Sequence, residues 1–581
     1  MLRKCALVVC LFACGLWAQQ EKIAGEWAGV IAGKLHIVVR IVKGDDHSLH
    51  GSLESIDQGH AKIDIESVTL DPKGVVELNM KQIGAIYQAE FNDAGTELIG
   101  TWQQGGSMAA LNLRRTDAPA LKPLEPATRG HIAFQPCPDS DGQSLCGSYE
   151  VWENRASKSG RKIPLHIMLL PALAEKPAAD PIFAFAGGPG QSAAEAYPAL
   201  TTIAALRKKR DIVLLDQRGT GQSNPLPCPV ELNDAAVMIT GASPSSVQDL
   251  ADCRKKLEAK ADLTQYTTSY FADDLDEVRE ALGYDKINVF GGSYGTLSGQ
   301  VYARLHGKHV RTLVLEGVVP PGYRLPLPFA KTIQASLEKL FANCAADAGC
   351  QKAFPNLQSE FETVVQRLDE QPVTLQFETG SGKPQPVTIT RGSFVSRMRV
   401  LLYQPAFVGA LPYFIHRAFD NDFNPYAKAV FAMRSAVGQA IARGMAYSVG
   451  CAESLPFIAE SDVKQETAGT WLGDYDVRLY QKACEVWPHA KVSRDFLEPV
   501  HSDIPSLMIT GAEDPATPPS QAEQAAVGLK NNRIVAIPHG THLTASLCID
   551  KLVVQFVNAG SSAGLDTTCI ADIHHVPFRT K

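Results

Sequence analysis

Four runs in this chain are apolar at nearly every position and too short to be helices. They are Pro181-Ile182-Phe183-Ala184-Phe185, Asp211-Ile212-Val213-Leu214-Leu215, Thr312-Leu313-Val314-Leu315 and Ser506-Leu507-Met508-Ile509-Thr510. A strand with one wet face alternates polar and apolar residues; these do not, so both faces are covered, as in a buried parallel sheet. Helical patterns such as Ala272 to Leu282 lie between them, and the class is therefore α/β. Between about 323 and 500 the pattern turns mostly helical, for example over Ala330 to Phe341 and Phe394 to Tyr403. That block interrupts the sheet and reads as a lid inserted over its C-terminal edge.

The chain has 581 residues, more than one ordinary core accommodates. Residues 19–115 alternate short apolar runs with Gly, Asp and Asn turns, the pattern of a small all-β domain. Trp27 and Trp102 in it read as packing residues rather than ligand-stacking ones. Residues 116–126 are Pro-rich and read as a linker. Residues 127–581 then form the α/β domain, with the lid inside it.

One corner of the sheet carries chemistry. The stretch "NVFGGSYGT", Asn288 to Thr296, takes a strand into a helix through Gly291-Gly292-Ser293-Tyr294-Gly295. Small neighbours make a strained backbone tolerable there, and such a corner presents a serine hydroxyl as a nucleophile. A serine needs a base, and the base needs a group that fixes its tautomer. In the α/β-hydrolase arrangement the chain order is Ser, acid, His, with each residue after a strand. The strand at Ser506 leads into Gly511-Ala512-Glu513-Asp514-Pro515, which offers Asp514 as the acid and Glu513 as the fallback. The strand Arg533 to Ile537 leads into Pro538-His539-Gly540-Thr541-His542. His542, after a Gly-Thr turn, is the expected base, and His539 is the rival. The oxyanion donors are expected to be the backbone N–H of Tyr294 and that of Gly188, or of Gly187, in the loop Ala186-Gly187-Gly188-Pro189-Gly190-Gln191-Ser192. Arg218, in "DQRGTGQS", could bind a carboxylate bidentately but reads better as a loop-bracing residue.

Composition narrows the setting. The net charge of -7 gives no basic footprint for nucleic acid. Met1 to Ala18 pairs a basic start with a short apolar run and a small residue, the pattern of a signal peptide. Cys14 is an alternative lipoprotein acceptor, and no apolar run long enough for an internal membrane span follows. Thirteen cysteines less Cys5, Cys10 and Cys14 leave ten, an even number suited to disulfides. The local pairs that suggest themselves are Cys137 with Cys146, Cys228 with Cys253, Cys344 with Cys350, Cys451 with Cys484, and Cys548 with Cys569. No metal site and no organic cofactor is expected, and the oligomeric state is left open.

With "GGPGQS" at Gly187, "DQRGTGQS" at Asp216, "GGSYGT" at Gly291, "GAEDPATPP" at Gly511 and the closing "GTH", the chain resembles the α/β-hydrolase serine peptidases of the proline iminopeptidase and tripeptidyl aminopeptidase family. The resemblance runs from about Cys137 to Cys569. "CAESLPF" at Cys451 and "CEVWP" at Cys484 bring it nearer the tripeptidyl branch. It implies an α/β-hydrolase fold with a helical lid and an exported serine exopeptidase in which Ser293 attacks, His542 moves the proton and Asp514 orients it. Ala186 departs from the family's usual His. Glu453, then Glu316, are the candidates to pair with a substrate α-ammonium. A carboxylic ester hydrolase using the same triad is the alternative.

Overall fold

The computed structural model describes residues 22–581, apart from 32–34, 45–47, 72–73, 93, 105–106, 119–122, 139–141, 229–234, 242–245, 380–382 and 439–440. The segment read as a signal, with Cys14, lies outside the described residues, as does part of the Pro-rich linker. The chain divides into two compact units. The first holds residues up to 122 with Pro198–Ala205 and Ala545–Leu547, and the second holds the remainder.

The first unit contains a nine-stranded antiparallel sheet of β1 (Gly25–Ile31), β2 (Leu35–Lys43), β3 (Leu49–Ser55), β4 (Ala61–Ile65), β5 (Ser67–Leu70), β6 (Val75–Met80), β7 (Ala85–Phe91), β8 (Glu97–Gln104) and β9 (Ser107–Arg115), hydrogen-bonded in the order 4-3-2-1-9-8-7-6-5. Alternating side chains fill one core; Ile37, Val39 and Ile41 of a single strand all point into it. Trp27 and Trp102 are both buried there, and the Trp27 indole N–H donates to the Ile23 carbonyl at 2.9 Å. They are packing residues, as their place in half-buried strands suggests.

The second unit is built on a ten-stranded sheet. Its antiparallel edge is β10 (Ala127–Arg129), β11 (Ile132–Pro136), β12 (Leu145–Trp152) and β13 (Lys162–Leu170). The parallel part is β14 (Ile182–Phe185), β15 (Ile212–Leu215), β16 (Ile287–Gly292), β17 (Val310–Glu316), β20 (Ser506–Gly511) and β21 (Asn532–Ile537). Their spatial order is 10-11-12-13-15-14-16-17-20-21. β14, β15, β16 and β20 are buried at every residue, as runs covered on both faces must be. Helix α1 (Thr268–Leu282) precedes β16, and α2 (Tyr294–His306) follows it.

Between β17 and β20 the chain leaves the sheet. It forms helices that include α3 (Phe329–Ala346), α4 (Arg391–Leu402), α5 (Pro405–Phe419), α6 (Asn424–Gly438), α7 (Arg443–Glu453) and α8 (Tyr475–Val486). The mostly helical reading of this block misses one feature, a hairpin of β18 (Val373–Glu378) and β19 (Pro384–Ile389). All five expected cysteine pairs are disulfides, with Cα–Cα separations of 5.0 to 5.7 Å. That is the ordinary span of the bond.

Arg218 is the brace its loop position suggested. It is fully buried and forks onto Asp274 of α1 at 2.6 and 2.7 Å, while Nη1 donates to the carbonyls of Glu153 and Gln265. Removing one member of a buried pair leaves the other charge uncompensated. We expect Arg218→Ala to lose about 3 kcal/mol or more of stability, measured by denaturant unfolding of the second unit, even though Arg155 also reaches Asp274.

Candidate active site

Ser293 joins β16 to α2 with φ 53° and ψ −123°, a conformation L residues rarely hold. Two glycines make room for it. A Cβ on Gly295 would run into the carbonyl oxygen of Phe185 on β14, and one on Gly187 would stand 3.3 Å from the Ser293 Cβ. The loop expected to hold the oxyanion therefore passes directly against the nucleophile corner. Ser293 N donates to the Glu316 carbonyl at 2.8 Å, pinning the corner to the end of β17.

The loops after β20 and β21 meet at this corner. His542 Nε2 lies 3.1 Å from Ser293 Oγ, and His542 Nδ1 lies 2.9 Å from Asp514 Oδ2. Asp514 is held by three donors besides. Its Oδ1 accepts from the N–H groups of Ala516 and Thr517, and its Oδ2 accepts from Thr517 Oγ1 at 2.6 Å. Burial alone would raise the Asp514 pKa, but His542 and the Thr517 hydrogen bonds outweigh it and hold the carboxyl below its ordinary range. The rivals Glu513 and His539 are paired elsewhere. They lie 2.9 Å from each other, and Glu513 also accepts from Asn343 on α3.

Two neighbours of the His were not singled out in the sequence. The Tyr403 ring lies against the His542 ring with centroids 4.6 Å apart, and Thr541 Oγ1 donates to the Tyr403 carbonyl at 3.0 Å. Nothing in "LLYQP" marks that tyrosine. Thr517 could have been found, because a Thr three residues after an Asp in a Pro-rich turn is a common local hydrogen-bonding arrangement.

Tyr294, whose backbone N–H follows the nucleophile, sends its side chain into the core. Its hydroxyl lies 2.6 Å from Thr268 Oγ1 and accepts from Gln217 Nε2 at 3.1 Å. Thr268 in turn donates its N–H and its hydroxyl, each at 2.6 Å, to the two oxygens of Glu453. Glu453 is thus a buried carboxylate at the start of α1, two contacts behind Tyr294. Burial pushes its pKa up to about 7 against those hydrogen bonds. Glu316 is different. Its side chain is half-buried and has no hydrogen bond or ion pair among the described residues. Burial first, and Asp550 second, push its pKa up to about 8. Gly188 sits in the loop with φ 109°, and Gly190 of the same loop accepts a hydrogen bond from Ala442 N at 2.8 Å. Gln191 and Ile441 form a β-bridge beside it. The helical insertion is therefore tied through its main chain to the loop expected to hold the oxyanion.

Comparison with known proteins places these elements. Residues 180–410 match the α/β hydrolase fold family, and residues 472–569 match the TAP-like protein family. Serine protease Hip1 of Mycobacterium tuberculosis is 24% identical over 486 residues, covering 77% of this chain and 92% of its own. Tripeptidyl aminopeptidase of Streptomyces coelicolor is 36% identical over 149 residues, covering 23% of this chain and 27% of its own. Proline iminopeptidase of Neisseria gonorrhoeae is 30% identical over 138 residues, covering 24% and 32%.

Proposed function

We propose that this chain, a serine hydrolase of the peptidase type with an α/β-hydrolase domain and a TAP-like C-terminal region, is an exported aminopeptidase that cleaves peptides near a free N-terminus. The observation that carries the reading is the continuous relay Ser293 Oγ, His542 Nε2, His542 Nδ1, Asp514 Oδ2, with steps of 3.1 and 2.9 Å. In it, Ser293 Oγ attacks the scissile carbonyl carbon and His542 takes the hydroxyl proton. Asp514 accepts from Nδ1–H, fixes the tautomer and stabilises the imidazolium. The backbone N–H groups of Tyr294 and Gly188 hold the oxyanion, and His542 then protonates the leaving amine. Water, activated by the same His, releases the acyl group and restores the serine.

Export is supported by the five disulfides, which belong to an oxidising compartment, and by the signal pattern at residues 1–18. The helical insertion acts as the lid that limits access to chain ends. Glu316 is the better-placed partner for a substrate ammonium, because both Glu453 oxygens are already engaged by Thr268. Glu453 then acts behind Tyr294, keeping the oxyanion donor in position.

The test compares initial rates on peptide anilides of one to three residues, each with a free and an acetylated amine, with Ser293→Ala as the blank. Acetylation is expected to lower kcat/KM by about tenfold or more, the value of one charge-assisted hydrogen bond. Glu316→Gln is expected to remove that discrimination. Equal rates on both forms would rule out the aminopeptidase. Turnover of esters with no amide cleavage would make the chain an ester hydrolase working through the same residues.

A further inference from the structure

The helical insertion carries an arrangement of charge that this chemistry leaves unused. Arg397 and Arg399 stand on α4, Arg434 on α6 and Arg443 at the start of α7. None of the four has an ion-pair partner among the described residues. Arg397 is only 7% exposed, and the Nε atoms of Arg397, Arg399 and Arg434 are buried without a hydrogen-bond acceptor. Asp476 on α8 is the carboxylate whose field reaches Arg397 and Arg399. It spends Oδ1 on Ser396 at 2.7 Å and leaves Oδ2 unpartnered. Arg434 feels no acid of comparable weight. Burial first, then repulsion from Arg397, Arg443 and Arg399, push its pKa down to about 9.

Burying several like charges without partners is costly, and the cost is removed when an anion supplies the missing acceptors. The position of the cluster says which anion. On one side, Arg399 stacks over Phe329 at 4.0 Å and donates to the Tyr403 hydroxyl, and the Tyr403 ring lies on His542. On the other, Arg443 directly follows the Ile441-Ala442 segment that is hydrogen-bonded to the oxyanion loop. Arg399 and Arg443 therefore border the two halves of the candidate active site. Guanidinium groups bind carboxylates through paired, directional N–H donors. We propose that Arg397, Arg399, Arg434 and Arg443 form a receptor for a carboxylate of the peptide substrate. The inference rests on the peptidase reading above and adds a charge preference to it. A peptide would lie with its ammonium away from this cluster and an acidic side chain or its C-terminal carboxylate within it.

The experiment uses the full mature chain and pairs of short peptides that differ only in one carboxylate. One arm places Glu or Gln at each position of an otherwise alanine peptide amide; the other compares a free with an amidated C-terminus. The arms separate a side-chain carboxylate from a terminal one. In at least one pair the acidic peptide should have a kcat/KM about tenfold or more above its neutral isostere. That ratio should fall towards one in Arg434→Gln and in Arg397→Gln, and Arg434→Lys should restore part of it. Arg367→Gln, at an arginine whose donors are taken by Asn421 and the Phe419 carbonyl, should keep the wild-type ratio. No preference in any wild-type pair, or a preference untouched by both substitutions, would overturn the proposal while leaving the peptidase intact. Should no peptide be cleaved at all, the peptidase reading fails and the receptor is tested separately. N-acetyl-glutamate should then slow fluorophosphonate labelling of Ser293 more than the uncharged N-acetyl-glutamine amide does, and equal effects would overturn it.

Discussion

Replacing Ser293 by alanine is expected to lower amide hydrolysis by about 10^5-fold, with folding unchanged. The size follows from the roles assigned to one atom. Ser293 Oγ is the proposed nucleophile, and the acyl-enzyme path disappears with it. What is left is the binding and oxyanion stabilisation available to a water molecule. Such residual catalysis is typically about 10^3- to 10^4-fold over solution. His542→Ala should fall to a similar level, and the double variant should be little worse than either alone, because members of one relay are not additive. Burst kinetics and labelling by a fluorophosphonate provide the check. Labelling at a residue other than Ser293, or wild-type rates in Ser293→Ala, would remove the assignment.

Asp514→Asn is the second large effect, expected at about 10^4-fold in kcat. The asparagine keeps the shape and can keep the hydrogen bonds from Ala516 and Thr517. It cannot serve as an ionised acceptor for Nδ1–H, so it favours the wrong tautomer of His542. The comparison with Glu513→Gln makes the result specific. Glu513 lies one residue away but bonds to His539 and Asn343 rather than to His542. Its loss should change kcat by no more than about threefold, in the range of a partly exposed pair. Loss of activity in Glu513→Gln with activity kept in Asp514→Asn would reverse the assignment of the acid. A pH profile adds a sign. The Asp514 carboxyl titrates below its ordinary range, so its contribution holds above that range and is lost only as the pH falls through its lowered folded-state value.

The proximity of Ser293, Asp514 and His542 is legible in the sequence because the constraints are local. A serine between Gly291-Gly292 and Gly295 can hardly be anything but a tight strand-to-helix corner. Each of the other two residues follows a run of strand-forming residues at a fixed short distance. The disulfides are legible for the same reason, since each closes on a cysteine at most 33 residues away. Contacts between distant segments are not. The Thr268 to Glu453 bonds span 185 residues, and Tyr403 meets His542 from another part of the chain. The arginines illustrate the limit well. Arg397, Arg434 and Arg443 look like ordinary surface charges on three separate helices. Only packing brings them within electrostatic reach of one another. The β18–β19 hairpin is hidden differently, because its strands alternate polar and apolar residues inside a block whose helices dominate the pattern.

The bond from Ala442 N to Gly190 O, with the Gln191–Ile441 bridge beside it, has a consequence for how such a molecule can be altered. A cover that only rested on the sheet could be exchanged like a cartridge, changing what is admitted and leaving turnover alone. Here the cover and the loop proposed to hold the oxyanion are joined through the main chain. Any graft that re-tilts residues 441–443 also re-aims the donors near Gly188. Selectivity and speed are therefore inherited together, and the freedom to diversify lies in side chains mounted on the cover rather than in its attachment.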